Sequence, residues 1–177
     1  MKEPTIKPIQ NSLRLPDFNS FFWATKIAPL TFTARNWPNL SHDIIFLSGL
    51  LHDATFESDG IEKHGPEVKI KLDRDCWEIG YGHNPHLPKV KELPWAISEL
   101  TLSPVAKVVW HHAAKKRNNS FLLQHISIGT RTWTGTFELV FSGHEDSIHF
   151  LFSDYSPTIL LRDLKGPSFG SSEGNSK

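Results

Sequence analysis

The stretch TFELVFSGHEDSIHFLFS, Thr136–Ser153, decides the fold. Phe137, Leu139 and Phe141 recur at every second position before the link Gly143–Asp146. Ile148, Phe150 and Phe152 do the same after it. A period of two sends alternate side chains to opposite faces of an extended strand. Two such runs joined by a short glycine-containing link read as a β-hairpin.

The same rhythm extends outward. Glu67–Asp73 alternates strictly, with Val68, Ile70 and Leu72 on one face and Lys69, Lys71 and Asp73 on the other. Further strands are expected at Ile97–Ser103, Ala106–His112, Phe121–Ile128 and Thr158–Leu164. The apolar run Asp43–Leu51 (DIIFLSGLL) reads as a buried strand, continued through Asp53–Ser58 to turn chemistry at Ser58–Gly60. Cys76–Tyr81 extends or follows the alternating strand, and the proline-rich Gly82–Pro94 reads as a long loop. Asp17 can cap one short helix, Asp17–Ile27, carrying Phe18, Phe21, Phe22 and Trp23. The expectation is a mainly β protein of about eight or nine strands, an antiparallel sandwich, roll or barrel with one short N-terminal helix. Its parts are an N-terminal arm at 1–16, a single domain at 17–165 and a Gly/Ser-rich tail at 166–177. Strands do not alternate with long helices, which disfavours a doubly wound α/β fold.

Charge balance narrows the partners. Lys plus Arg number 19 and Asp plus Glu number 19, so no overall field favours nucleic acid or an anionic membrane. The apolar runs are too short to span a bilayer, and the first 16 residues carry no apolar signal region. A cytoplasmic location is expected. Cys76 is the sole cysteine, which rules out an internal disulfide and a cysteine-built zinc site. Acidic neighbours Asp73, Asp75 and Glu78 do not favour its thiolate, so an inert thiol is expected.

Ten histidines put a metal site to the test. The groups are His42-Asp43 with His52-Asp53, His83 with His86, His111-His112, and His144-Glu145-Asp146 with His149. Adjacent residues on a strand point to opposite faces, so His111 and His112 cannot share an ion without a bulge, and no His-x-His occurs. No metal and no cofactor are therefore expected. The alternative is a metal-assisted hydrolase built from His42, Asp43, His52, Asp53, His111 and His112. The His-Asp dipeptides are similar to the signature of the HD phosphohydrolases, but those are all-helical and the surroundings here read as strands. No Gly-x-Ser-x-Gly elbow supports a serine triad. For binding, the candidates are the basic run Lys115, Lys116 and Arg117, the loop residues His83 and His86, and Trp133 among small polar neighbours. Trp133 is also the anchor of a third possibility, a β-sandwich carbohydrate binder.

The opening Leu51-His52-Asp53-Ala54, followed by a strand, a turn and the alternating strand, resembles small bacterial proteins that are uncharacterised or assigned as immunity proteins of toxin systems. The closing Glu138–Leu164 is similar in style, and the likeness spans about two thirds of the chain. It implies no catalytic residues. It implies a protein that acts by binding a protein partner, with a homodimer as a further possibility. On this view His52-Asp53 is a polar joint between elements, its side chains bonding backbone groups to fix register.

Overall fold

The computed structural model describes residues 27–34, 40–79, 92–112, 120–130, 132 and 135–169. The expected N-terminal helix lies outside these residues except for Ile27, which belongs to no regular element. The arm at 1–16 lies outside them too.

The described residues form eleven strands and one α-helix: β1 Thr31–Ala34, α1 Leu40–Leu50, β2 Ala54–Glu57, β3 Ile61–His64, β4 Glu67–Asp75, β5 Trp95–Ser103, β6 Val105–His112, β7 Ser120–Leu123, β8 His125–Ile128, β9 Glu138–Ser142, β10 Asp146–Phe152 and β11 Thr158–Ser168. They make two antiparallel sheets in a sandwich-like arrangement that does not close into a barrel. The larger sheet runs β1-β11-β5-β4-β2-β7, with β3 pairing the other end of β4. The smaller runs β6-β10-β9-β8.

The hairpin that decided the fold is present as β9 and β10, with Ile148 opposite Phe141 and Phe150 opposite Leu139. Phe137, Leu139, Phe141, Ile148, Phe150 and Phe152 are all buried. Phe141 and Phe150 meet at a centroid distance of 4.8 Å, and Phe137 and Phe152 at 5.2 Å. Val68, Ile70 and Leu72 of β4 close the core from the opposite sheet.

Two chain segments pass from one sheet to the other almost without a break. β5 and β6 are separated only by Pro104, and β7 and β8 only by Gln124. Strands that switch sheets in this way form the corners of a sandwich. The Phe121–Ile128 run is therefore two strands rather than one, because Gln124 N–H turns aside to donate to Ser142 C=O.

Two elements depart from expectation. Asp43–Leu51 lies almost wholly within helix α1, not in a strand. A short continuous apolar run fits either state. Here burial follows a helical spacing: Leu40, Ile44, Leu47 and Leu50 are buried, while Ser41, His42 and Ile45 face outward. Asp43 in the first turn is favourable to the positive end of the helix dipole. Cys76–Ile79 follows β4 rather than extending it, since Trp77–Ile79 form a 3-10 turn, and residues 80 and 81 lie outside the described residues. β11 continues through Ser168, three residues beyond the expected boundary at 165, because bulges between Asp163 and Lys165 and between Lys165 and Ser168 absorb Gly166 and Pro167. No helix among the described residues is long and apolar enough to cross a membrane.

Candidate functional site

The outer face of the smaller sheet carries an ordered polar constellation. Inward alternation of Ile148 and Phe150 leaves Ser147, His149 and Leu151 of β10 on the other face. Strand register then sets their neighbours. Ser147 stands between Ser142 of β9 and His111 of β6, and His149 between Val140 and Val109. Leu151 stands between Glu138 and Lys107. His125 and Ser127 of β8 complete the first two rows beside Ser142 and Val140.

Three of these side chains form a hydrogen-bonded chain. His149 Nδ1 lies 2.9 Å from Glu138 Oε1, and His149 Nε2 lies 3.0 Å from Ser147 Oγ. An ionised carboxylate only accepts, so the imidazole donates through Nδ1–H, and Nε2 is left to accept the Ser147 hydroxyl proton. Glu138 is 3 % exposed at its side chain and His149 23 %. The carboxylate is buried because the chain folds back over it. Gly129 N–H donates to Glu138 C=O, and Glu138 N–H donates to Thr132 Oγ1. Tyr155 O–H in turn holds Thr132 C=O at 3.1 Å. The exposed His111 ring packs edge-on against His149, with centroids 4.3 Å apart.

A second feature lies at the end of the larger sheet. Arg74 falls on the inward parity of β4 and is fully buried. Its guanidinium makes a two-pronged pair with Glu78 at 2.7 and 2.8 Å, and another with Asp163 at 3.0 and 3.1 Å. Ser98 O–H and Leu30 N–H donate to the same Asp163 carboxylate at 2.6 and 2.7 Å. Burial works against the guanidinium charge, but Glu78 and then Asp163 outweigh it and hold its pKa above the ordinary value. Cys76 beside it is buried, and burial pushes its thiol well up against the pull of Arg74, which agrees with an inert thiol. Every group in this cluster is turned to holding β4, β5, β11 and the lead into β1 together.

On the outer side of that same end, an open cleft of about 220 Å³ is lined by Asp53, Thr55, Asp73, Arg74, Asp75 and Trp95. Asp75 has a raised pKa, through partial burial first and the Asp53 charge second. Trp95 adjoins the cleft and carries Lys165 over its ring at 5.7 Å. Ser168 at the end of β11 pairs with Trp95, and exposed apolar side chains occur on β11, just after it and ahead of β1. Ile27, Leu164 and Phe169 are 39 %, 48 % and 48 % exposed, and Asp163 N–H bonded to Leu30 C=O draws the lead into β1 alongside this part of β11.

The residues singled out from sequence are distributed as follows. Trp133, Lys115, Lys116, Arg117, His83 and His86 lie outside the described residues. His42 and Asp43 sit on α1, exposed and buried respectively, so this His-Asp pair has helical surroundings after all. His52 and Asp53 follow the helix, and His111 and His112 end β6 in the other sheet. No group of three or more metal-ligating side chains converges among the described residues. Of the Ser147, Glu138 and His149 chain, the sequence singles out only His149, in a possible metal group with His144, Glu145 and Asp146, although Ser-x-His on an alternating strand is a same-face signal.

The His52-Asp53 joint is built differently from the expectation. The two side chains bond each other, Nδ1 to Oδ2 at 2.9 Å, and both are largely exposed. The backbone does the joining: Trp77 Nε1–H donates to His52 C=O, and Asp53 N–H to Leu123 C=O, each at 2.8 Å. Asp53 adopts φ 64, the left-handed region that glycine tolerates best. Asp53→Gly is therefore expected to keep or raise stability, by up to ~1 kcal/mol, while Asp53→Val loses about 1–2 kcal/mol. Urea denaturation of the two variants checks this; equal losses in both would show that the side-chain pair, not the backbone angle, matters.

Comparison with known protein families, with characterised proteins and with solved structures finds no match for this chain.

Proposed function

We propose that the protein is an interaction protein that binds another protein through the outer face of its larger sheet, at the end marked by Trp95. The observation that supports this most is the open cleft lined by Asp53, Asp73, Asp75 and Trp95, beside the end of β11, where Leu164 and Phe169 are exposed. Large apolar side chains left exposed beside a polar cleft suit an interaction surface. The flank adds selectivity. Asp53, Asp73 and Asp75 line the adjoining cleft, so the fitting partner offers apolar side chains next to lysine or arginine. A toxin-immunity partnership, which the Leu51–Ala54 resemblance implies, is the narrower form of this proposal.

Isolated from its source at native abundance, the protein is expected to migrate with a second protein in fixed proportion. Leu164→Asp and Asp73→Lys, both at exposed positions, should weaken that association about tenfold or more while leaving the unfolding temperature unchanged. A chain that migrates alone at native abundance would overturn the proposal.

A further inference from the structure

We propose that Ser147 is a nucleophile that accepts a small apolar acyl group from a carboxylic ester, with His149 as its base and Glu138 as the positioning residue. This activity is independent of partner binding, since it lies on the smaller sheet. Three observations support it together. Ser147 Oγ and His149 Nε2 are 3.0 Å apart, within reach for proton transfer. His149 Nδ1 is held at 2.9 Å by the buried Glu138, which sets the tautomer that leaves Nε2 free to take the proton. Val109, Val140 and Leu151 surround His149 on the same face and form an apolar floor for a short acyl chain.

Water is the one co-reactant the cycle consumes. Ser147 Oγ attacks the carbonyl carbon as its proton passes to His149 Nε2. The ester C–O bond breaks, and His149 returns the proton to the departing alcohol. Water then attacks the acyl-serine through the same base, releasing the acid and restoring the hydroxyl. The ladders on both sides of β10 take up its backbone N–H groups. Paired backbone donors for the developing oxyanion are thus missing on this strand, and one such donor elsewhere is worth about 10²–10³ in rate. Only activated esters are therefore expected to turn over measurably. Among the described residues, the charged and titratable groups beside the pair are Glu138 on β9 and His111 on β6, with Lys107 further along β6, while His125 on β8 turns to Ser48 Oγ of α1 at 3.2 Å.

A fluorophosphonate probe tests this directly, forming an Oγ–P bond with loss of fluoride. Peptide mass spectrometry is expected to find the label on Ser147, with slow release of p-nitrophenol from p-nitrophenyl butyrate. Ser147→Ala should abolish both, and His149→Gln should slow labelling by about 10²-fold or more. Glu138→Gln should keep Ser147 as the labelled residue but slow the reaction and move its pH profile, a change that a purely structural glutamate would not produce. An unlabelled wild-type protein, a label elsewhere, or labelling that survives Ser147→Ala overturns the proposal.

Discussion

Arg74→Met is expected to destabilise the protein by about 3–5 kcal/mol, the usual loss when one partner of a buried ion pair is removed. Methionine fills much of the same volume, so a cavity contributes little. The loss comes from Glu78 and Asp163, buried carboxylates left without the cation that both of them grip. A buried unpaired carboxylate avoids its charge by taking up a proton. The folded variant should thus hold protons that its unfolded chain releases, and its stability should rise as pH falls toward the ordinary carboxylate range. The gap to the wild type narrows in the same direction. Urea titrations at pH 7 and pH 5 measure both effects. A loss below about 1 kcal/mol at pH 7, or a gap that does not change with pH, would mean that the pairing carries little net energy. Adding Glu78→Gln and Asp163→Asn to the variant should recover part of the loss at pH 7, because neutral amides do not need the cation.

Arg74 also shows how far sequence alone reaches. Its parity was visible: Val68, Ile70, Leu72 and Arg74 share one face of an alternating strand, and the first three are plainly core residues. A charge on the core face announces a buried partner. It does not say which one, because Asp163 arrives from 89 positions away through the β11–β5–β4 order. The hairpin of β9 and β10 was legible because its information is local: two periods of two and a short link. Helix α1 was not, because a nine-residue apolar run has no polar spacing to separate a buried strand from a buried helix. Packing of α1 beside β8 decides it, with Ser48 Oγ accepting the Ile126 N–H at 2.9 Å. The candidate site divides along the same line. Ser147 and His149 could be placed on one face from their spacing. Glu138 could be placed outward from its neighbours Phe137 and Leu139, but its burial goes with the return of Gly129 and Thr132 to its backbone, which no pattern in the sequence announces.

That fold-back is the ground for the second large effect. Gly129→Ala is expected to cost about 1–3 kcal/mol, the range for forcing extra volume into a packed site. Gly129 is not among the residues with a positive φ, so alanine can adopt its backbone angles and conformational strain is not the reason. The obstacle is steric. A Cβ at this position would fall within the van der Waals envelope of the Glu138 Oε2, Cδ and Cγ atoms. Those atoms cannot swing into solvent, because the side chain is enclosed and its other oxygen is engaged by His149. Either Gly129 lifts, breaking its N–H bond to Glu138 C=O, or the carboxylate leaves His149. Both routes lower stability, and the second also removes the group that orients the imidazole. A double-mutant cycle separates this clash from a general intolerance of the segment. With Glu138→Ala in place the obstacle is gone, and Gly129→Ala should then cost little, giving a coupling of about 1 kcal/mol or more by urea denaturation. The same cost in both backgrounds would show that Glu138 is not what requires glycine at 129.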